Sequence, residues 1–207
     1  MAAYSRAALR AGSFLAMMLP LLILSTSAAV AAAAAPPVHY TLDAARSLLR
    51  FQFVQAGATN SGRFGKFTAD VLFSPENLAA SKIDVTVGIT SLDTGDKERD
   101  DTLKGADLFN VAKFPTAHFV ATKFTPSTGT GLYNSVGKLT IRDATKSLTM
   151  PLTFQIKTEQ GKSVGYLTGR VTLKRLEYGV GQGEWKSVEW VKDDVNVTFS
   201  LRLVAAP

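Results

Sequence analysis

Between Leu49 and Leu203 the chain is a succession of segments in which apolar residues recur on every second position, broken by glycine, proline and asparagine. That spacing confines the chain to strands with one dry face and one wet face. Leu49, Phe51 and Phe53 alternate with Arg50 and Gln52, Phe67, Ala69, Val71 and Phe73 with Thr68 and Asp70, and Ile83, Val85, Val87 and Ile89 with Asp84, Thr86 and Gly88. Ala117, Phe119 and Ala121 follow, then Val136 to Asp143 with Leu139 and Ile141 on one face. Leu148, Met150, Leu152, Phe154 and Ile156 form the next run, then Leu167, Val171 and Leu173, and last Val195, Val197, Phe199, Leu201 and Leu203. Eight strands result. Turn formers at 126–131 and 159–162 suit hairpins between neighbours in sequence.

Eight consecutive antiparallel strands most economically close on themselves, because closure removes the exposed edges that invite aggregation. The expected fold is therefore all-β, an eight-stranded antiparallel barrel, with a two-sheet sandwich as the alternative. A barrel of this size is either filled by side chains or holds one slender ligand. One segment breaks the pattern: Asp96 to Lys104 joins a capping aspartate to good helix formers and predicts a short helix between the third and fourth strands. An aromatic connection, Asp107 to Pro115 with Leu108, Phe109, Val111 and Phe114, then leads back to a strand.

The first 34 residues read as an address. Arg6 and Arg10 precede a short apolar run, Phe14 to Leu24, and an alanine-rich stretch, the order of a secretory signal with its cut between 28 and 34. An uncleaved anchor is the alternative. The domain then runs from 36 to 207. No cysteine is present, so disulfides, thiolate metal sites and cysteine nucleophiles are excluded and an oxidising compartment is tolerated. Without Arg6 and Arg10 the net charge falls from +6 to +4, and Lys174–Arg175 is the one adjacent basic pair in the mature region. Nothing there tracks a phosphate backbone, so nucleic acid is not an expected partner.

Candidates for chemistry are sparse. His39 and His118 stand far apart without metal spacing, and no serine sits in a Gly-x-Ser-x-Gly elbow. Asp93, Asp96, Glu98, Asp100 and Asp101 cluster, but they lack the order of a calcium loop and fall around a helix start beside Lys97 and Arg99. Gly179-Val180-Gly181-Gln182-Gly183 is followed by no phosphate-binding Gly-Lys-Ser or Gly-Lys-Thr and reads as a flexible loop. Trp185 and Trp190 flank a charged segment, either one suited to a lid. What stands out is the aromatic load on the strands' apolar faces, which composition alone leaves divided between a packed core and a lined cavity.

Taken in order, Gly62-Arg63-Phe64 with Phe67, Ser91-Leu92-Asp93-Thr94-Gly95, Arg99-Asp100-Asp101-Thr102-Leu103-Lys104, Ala106-Asp107-Leu108-Phe109 and Phe114-Pro115 through Phe119 resemble the YceI-like family of exported lipid-binding proteins. Gly137 to Lys146 with Pro151-Leu152, and Leu176-Glu177-Tyr178-Gly179-Val180, continue the resemblance from about Tyr40 to Val204. It implies a lipocalin-like barrel in the periplasm, with an apolar tunnel for a polyisoprenoid or similar long-chain lipid; the scarcity of convergent nucleophile, base and metal candidates adds the expectation of no catalysis and no cofactor, an enzyme acting on the bound lipid being the least favoured reading. Members associated with cytochrome b561-type membrane proteins add a quinone-like ligand and a membrane partner to the expectations, and a homodimer is left open. The expected tunnel lining is Phe51, Phe53, Phe67, Val85, Val87, Phe109, Phe114, Phe119, Ile141, Phe154 and Phe199, with Arg99, Asp100 and Trp185 as headgroup candidates at the mouth. Where many members carry a histidine in the first-strand motif this chain has Gln55, so a headgroup contact there does not carry over. A filled scaffold that docks on a membrane partner is the rival reading.

Overall fold

The computed structural model describes residues 35–206, and the expected signal segment lies outside them. The strands are β1 (Val38–Leu42), β2 (Leu48–Gln55), β3 (Ala58–Phe64), β4 (Phe67–Phe73), β5 (Lys82–Gly88), β6 (Leu92–Asp93), β7 (Thr116–Pro126), β8 (Leu132–Ile141), β9 (Ala144–Glu159), β10 (Lys162–Lys174) and β11 (Val191–Ala205). Every pairing is antiparallel. From β4 the order runs β5, β7, β8, β9, β10 and β11, and β11 closes the ring by pairing with both β1 and β2.

The first six segments are three barrel strands, each broken once. β4 pairs with β1 and β5, while β3 pairs with β2 and β6. The breaks fall at Asp43–Ser47, Gly65–Lys66 and Ile89–Ser91. At the last two, local bonds replace the ladder: Gly65 N donates to Ser91 O (3.1 Å), Gly88 N to Lys66 O (2.9 Å) and Lys66 N to Ser91 Oγ (2.9 Å). The result is an eight-stranded closed barrel and not a sandwich, with α1 (Lys97–Lys104) between its third and fourth strands. Each of the eight apolar runs falls in a different barrel strand.

The strands are longer than the apolar runs. Ala58–Phe64 has no buried residue, so its faces carry no contrast for periodicity to detect, and it pairs through its backbone. At the β8–β9 hairpin the strand ends at Ile141 rather than Asp143, because Arg142 takes a positive φ of 56° to turn the chain. The β2–β3 and β9–β10 turns use Ala56-Gly57 and Gln160-Gly161, all at positive φ, which matches the twist of the flanking strands.

One end of the barrel is solid. Phe73 stacks on Phe154 at 4.3 Å between ring centroids and meets Tyr133 (5.1 Å) and Phe124 (5.8 Å) edge-on, while Tyr40 approaches Phe154 at 5.5 Å. These rings pack with Val71, Ala121, Leu152 and Leu203 in the main core. Outside this end, Arg202 bridges Asp43 (2.7 Å) and Glu159 (2.6 Å), and Tyr166 Oη donates to Glu159. No helix among the described residues is long and apolar enough to cross a membrane.

Candidate functional site

Beyond the aromatic plug the barrel is hollow. A cavity of about 700 Å³ extends from Ile83, Met150, Leu167 and Leu201, beside the plug, to the opposite end. Its walls are the inward faces of the strands: Phe51 and Phe53 on β2, Val85 and Val87 on β5, Phe119 on β7, Leu139 and Ile141 on β8, Val171 on β10, and Val195, Val197 and Phe199 on β11. Between Val191 and Leu201 β11 follows the cavity for about 30 Å of strand, at about 3.3 Å per residue. Large side chains line this space without filling it, because several rings lie flat on the wall. A Cβ added at Gly62 would meet the Phe51 ring at 2.4 Å, and one at Gly137 would meet the Phe119 ring at 2.9 Å as well as the Val120 carbonyl oxygen at 2.4 Å. A missing side chain on one strand makes room for a ring from the next.

Two connections cover the open end. The first is α1 with the segment after it. Asp96 caps the helix by accepting from Arg99 N (3.1 Å), and Lys97 and Asp101 pair one turn apart at 2.5 Å. Leu103, Leu108 and Phe109 present apolar surface to the cavity, and Asp96, Glu98, Arg99 and Thr102 form its polar rim. The acidic cluster is thereby accounted for mostly by local structure. Asp93 pairs with Arg63 (2.8 Å) and accepts from Gly95 N, which, followed by the Arg63 bond, holds its carboxyl below the ordinary aspartate value. Asp100 accepts from Thr94 N (2.9 Å) and Thr94 Oγ1 (2.7 Å). Among the described residues Glu98 has no side-chain partner and faces the mouth.

The second cover is the 175–190 connection, which is ordered rather than the flexible glycine loop its sequence suggests. Arg175 is 5% exposed, and its guanidinium donates to five backbone carbonyls: Lys192 (3.1 Å), Val180 (2.9 Å), Trp185 (2.7 Å), Ser187 (3.2 Å) and Val191 (2.8 Å). Burial pulls its pKa down from the ordinary arginine value. The two covers are joined where Gly181 N (3.0 Å) and Gln182 N (2.7 Å) both donate to Asp107 O. Tyr178 and Val180 pack with Leu108 beneath this junction.

Residues 40–203 match the model of the YceI-like domain. The chain belongs to the YceI-like family. A UPF0312 protein of Vibrio vulnificus is 32% identical over 139 residues, 67% of this chain and 69% of its own length. Among solved structures, BcnA of Burkholderia cenocepacia superposes with a TM-score of 0.72 at 34% identity, covering 80% of this chain and 99% of that one. A domain from Saccharophagus degradans, described as a polyisoprenoid binding domain implicated in plant cell wall breakdown, superposes with a TM-score of 0.63 at 14% identity over 82% and 99% of the two chains. That last likeness is one of fold.

Within this YceI-like barrel Phe51, Phe53, Phe67, Val85, Val87, Phe109, Phe119, Ile141 and Phe199 stand together on the cavity wall, with Arg99 and Trp185 at its open end. Three residues expected there lie elsewhere. Phe154 belongs to the plug, since its position toward the far end of β9 carries it past the cavity floor. Phe114 sits between cations, with Lys113 Nζ 5.2 Å and the Arg142 guanidinium 5.5 Å from its ring, and Asp100 turns to Thr94. Gln55 and Asn60, by contrast, line the mouth. Arg175 escaped the sequence reading, where it was half of a basic pair. His39 pairs with Asp70, and His118 with Asp84 at 2.7 Å, as half-exposed side chains that do not line the cavity.

Proposed function

We propose that this chain is a carrier that holds one long-chain, isoprenoid-type lipid in the barrel cavity, with the chain of the lipid toward the plug and its polar end at the rim. The observation that carries this reading is the cavity itself. Its volume falls within the range of about 300–1,000 Å³ usual for ligand sites, and its deep walls are aliphatic and aromatic. A solid core of the same strands would gain the close packing and dispersion contacts that these walls forgo. A hole of this size in a barrel that has side chains enough to plug one end supports a binding role over a filled scaffold.

Enclosure of the hydrocarbon supplies the affinity, at about 25 cal/mol per Å² removed from water. The likeness in fold to a polyisoprenoid binding domain favours a branched, unsaturated chain. Arg99, beside Asp96 at 3.4 Å, and the amide of Gln55 are the groups that meet a headgroup, which suits a quinone or alcohol. The role is binding without turnover. The signal-like start of the sequence favours export to the periplasm, and a cytochrome b561-type membrane protein is a fitting recipient of a quinone-like cargo.

The test is native mass spectrometry of the mature protein purified without added lipid, followed by organic extraction. The expected result is one isoprenoid or quinone-type lipid per chain. A clean apo mass that also resists loading with such lipids overturns the proposal.

A further inference from the structure

The cavity mouth has two unlike lips. One is α1, which is charged at Lys97, Glu98, Arg99, Asp100, Asp101 and Lys104. The other is made of two turns held together: the β2–β3 hairpin tip, Ala56-Gly57, and the turn that precedes β11. Ala56 N donates to Trp190 O at 2.7 Å. Nothing from Phe51 to Gly62 carries a charge. Val188 lies in a shallow outer groove beside Val54 and Thr59, whose far side is charged by Lys174, Lys192, Asp193 and Asp194, so the apolar surface of this lip is confined to the turn itself and the hairpin tip.

This second lip is also where the barrel exposes its most accessible large apolar side chain. Trp190 is 69% exposed and Val188 44% exposed. The next residue, Val191, is buried and lines the cavity, as do Ala56 and Ala58. Apolar surface therefore runs without a charged break from the interior, over the hairpin tip, to an indole standing in solvent. Lys186 and Lys192 flank this turn, but Glu184, Glu189, Asp193 and Asp194 stand beside them, so the turn carries no excess of positive charge and apolar insertion of the indole is what attaches it.

We propose that the Trp190–Val188 lip is a docking element for a phospholipid bilayer, which seats the mouth against the membrane so that a lipid passes between the two without crossing water. An indole is suited to the interface, where its ring is buried among headgroups and acyl chains and its N–H stays wet. One tryptophan, one valine and a small hairpin tip bury little area, so attachment is weak and reversible. That suits a carrier that must leave with its cargo. The position of the lip at the mouth favours a bilayer over a protein partner, because any lipid entering the cavity passes it. The inference rests on the reading of the cavity as a lipid site.

The two tryptophans allow a direct test. In a Trp185→Phe background the emission reports Trp190 alone, and it is followed on adding vesicles of phosphatidylcholine with one quarter phosphatidylglycerol, with and without brominated acyl chains. The expected result is a blue shift and quenching by the brominated chains, and, by cosedimentation with the vesicles in the parent background, binding weakened about ten-fold by Trp190→Ser, a loss of about 1.4 kcal/mol, or by Val188→Asp. With Trp185 intact, both variants take up the same final load of a polyprenol from vesicles but reach it more slowly. Unshifted emission with unchanged transfer rates overturns the lip and leaves the carrier standing. Vesicle binding by a chain that never takes up lipid overturns the carrier and leaves the lip. A Trp190→Ser effect on self-association alone, with none on vesicles, overturns the lip in favour of a contact between copies.

Discussion

Phe199 on β11 and Gly169 on β10 are register partners, and the ring lies so flat over the glycine that a Cβ there would come within 2.3 Å of Phe199 Cζ. Phe51 and Gly62 repeat the relationship, and the Phe119 and Phe154 rings lie over Gly137 and Gly165, each two residues along the neighbouring strand from the ring's register partner. At three of these four sites the ring belongs to the cavity wall. Aromatic residues bury large areas, and rings standing upright across a narrow barrel would close it. Laid over glycines, they contribute apolar surface and leave the lumen open.

Gly169→Val is therefore expected to push the Phe199 ring off the wall and into the cavity, and, because its Cβ would also stand 2.9 Å from the Pro151 carbonyl oxygen, to shift the β9 backbone locally. The variant folds, at an overpacking cost of about 1–3 kcal/mol, and loses bound lipid. Chemical denaturation and quantified organic extraction check the two effects together. Unchanged lipid content with Gly169→Val would show that the ring's position is not what keeps the cavity open.

The legible part of this molecule is the part built by alternation. The dry faces of β4, β5, β9 and β11 stood out in the sequence because each lies between a core and solvent. The helix start at Asp96 was legible for a different reason, since capping chemistry is local. What stayed hidden is non-local. Whether rings fill or line the barrel depends on glycines one strand away, as at Phe51 and Gly62. The order of the 175–190 connection depends on one guanidinium reaching carbonyls as far along the chain as Lys192. Phe154 and Phe199 carry the same signal in sequence, yet height along the barrel puts one in the plug and the other in the wall.

Arg175 is expected to hold the second cover in place. Arg175→Met leaves carbonyls of Val180, Trp185, Ser187 and Val191 without their buried donor, at a cost of about 3 kcal/mol. In a domain of this size that lowers Tm by about 10 °C. Arg175→Lys recovers only part of the loss, because an ammonium on a flexible stem does not reproduce the planar fork. Hydrogen exchange localises the effect: amides of 176–190 lose protection first, while those of β9 keep theirs. A uniform loss over the whole barrel would contradict the pinning role.

Acid is expected to loosen the closed end. The Tyr166 hydroxyl, followed by Arg202, holds the Glu159 carboxyl below its ordinary value of 4.5. Lys82, with a smaller contribution from His118, does the same for Asp84 against an ordinary value of 3.8. Because both folded-state values are depressed, the stability they contribute is fully present above the ordinary values and is lost as pH falls through the depressed ones. Glu159→Gln is accordingly less stable than the parent at pH 7, and the gap narrows as pH drops below about 4. Urea midpoints at pH 7 and pH 3 decide it, since a gap independent of pH would mean that the bonds to Tyr166 and Arg202 do not depend on the charge of Glu159.

Filling the cavity separates stability from function most cleanly. Val85 and Val87 face the lumen on β5 and are only partly buried, so the free space beside them accommodates a larger side chain without displacing the plug. Val85→Trp puts an indole into that space and gives it apolar contacts that valine does not reach. Stability is expected to hold or to rise by about 1 kcal/mol, while the bound lipid disappears from native mass spectra and cannot be reloaded. Phe73→Ala is the complementary change. It removes the centre of the plug at a cost of about 3–5 kcal/mol and extends the cavity toward the closed end, so any Phe73→Ala protein that still folds is expected to accept longer chains than the parent. If Val85→Trp retained a full load of lipid, the ligand would lie outside the barrel and the carrier reading would have to move with it.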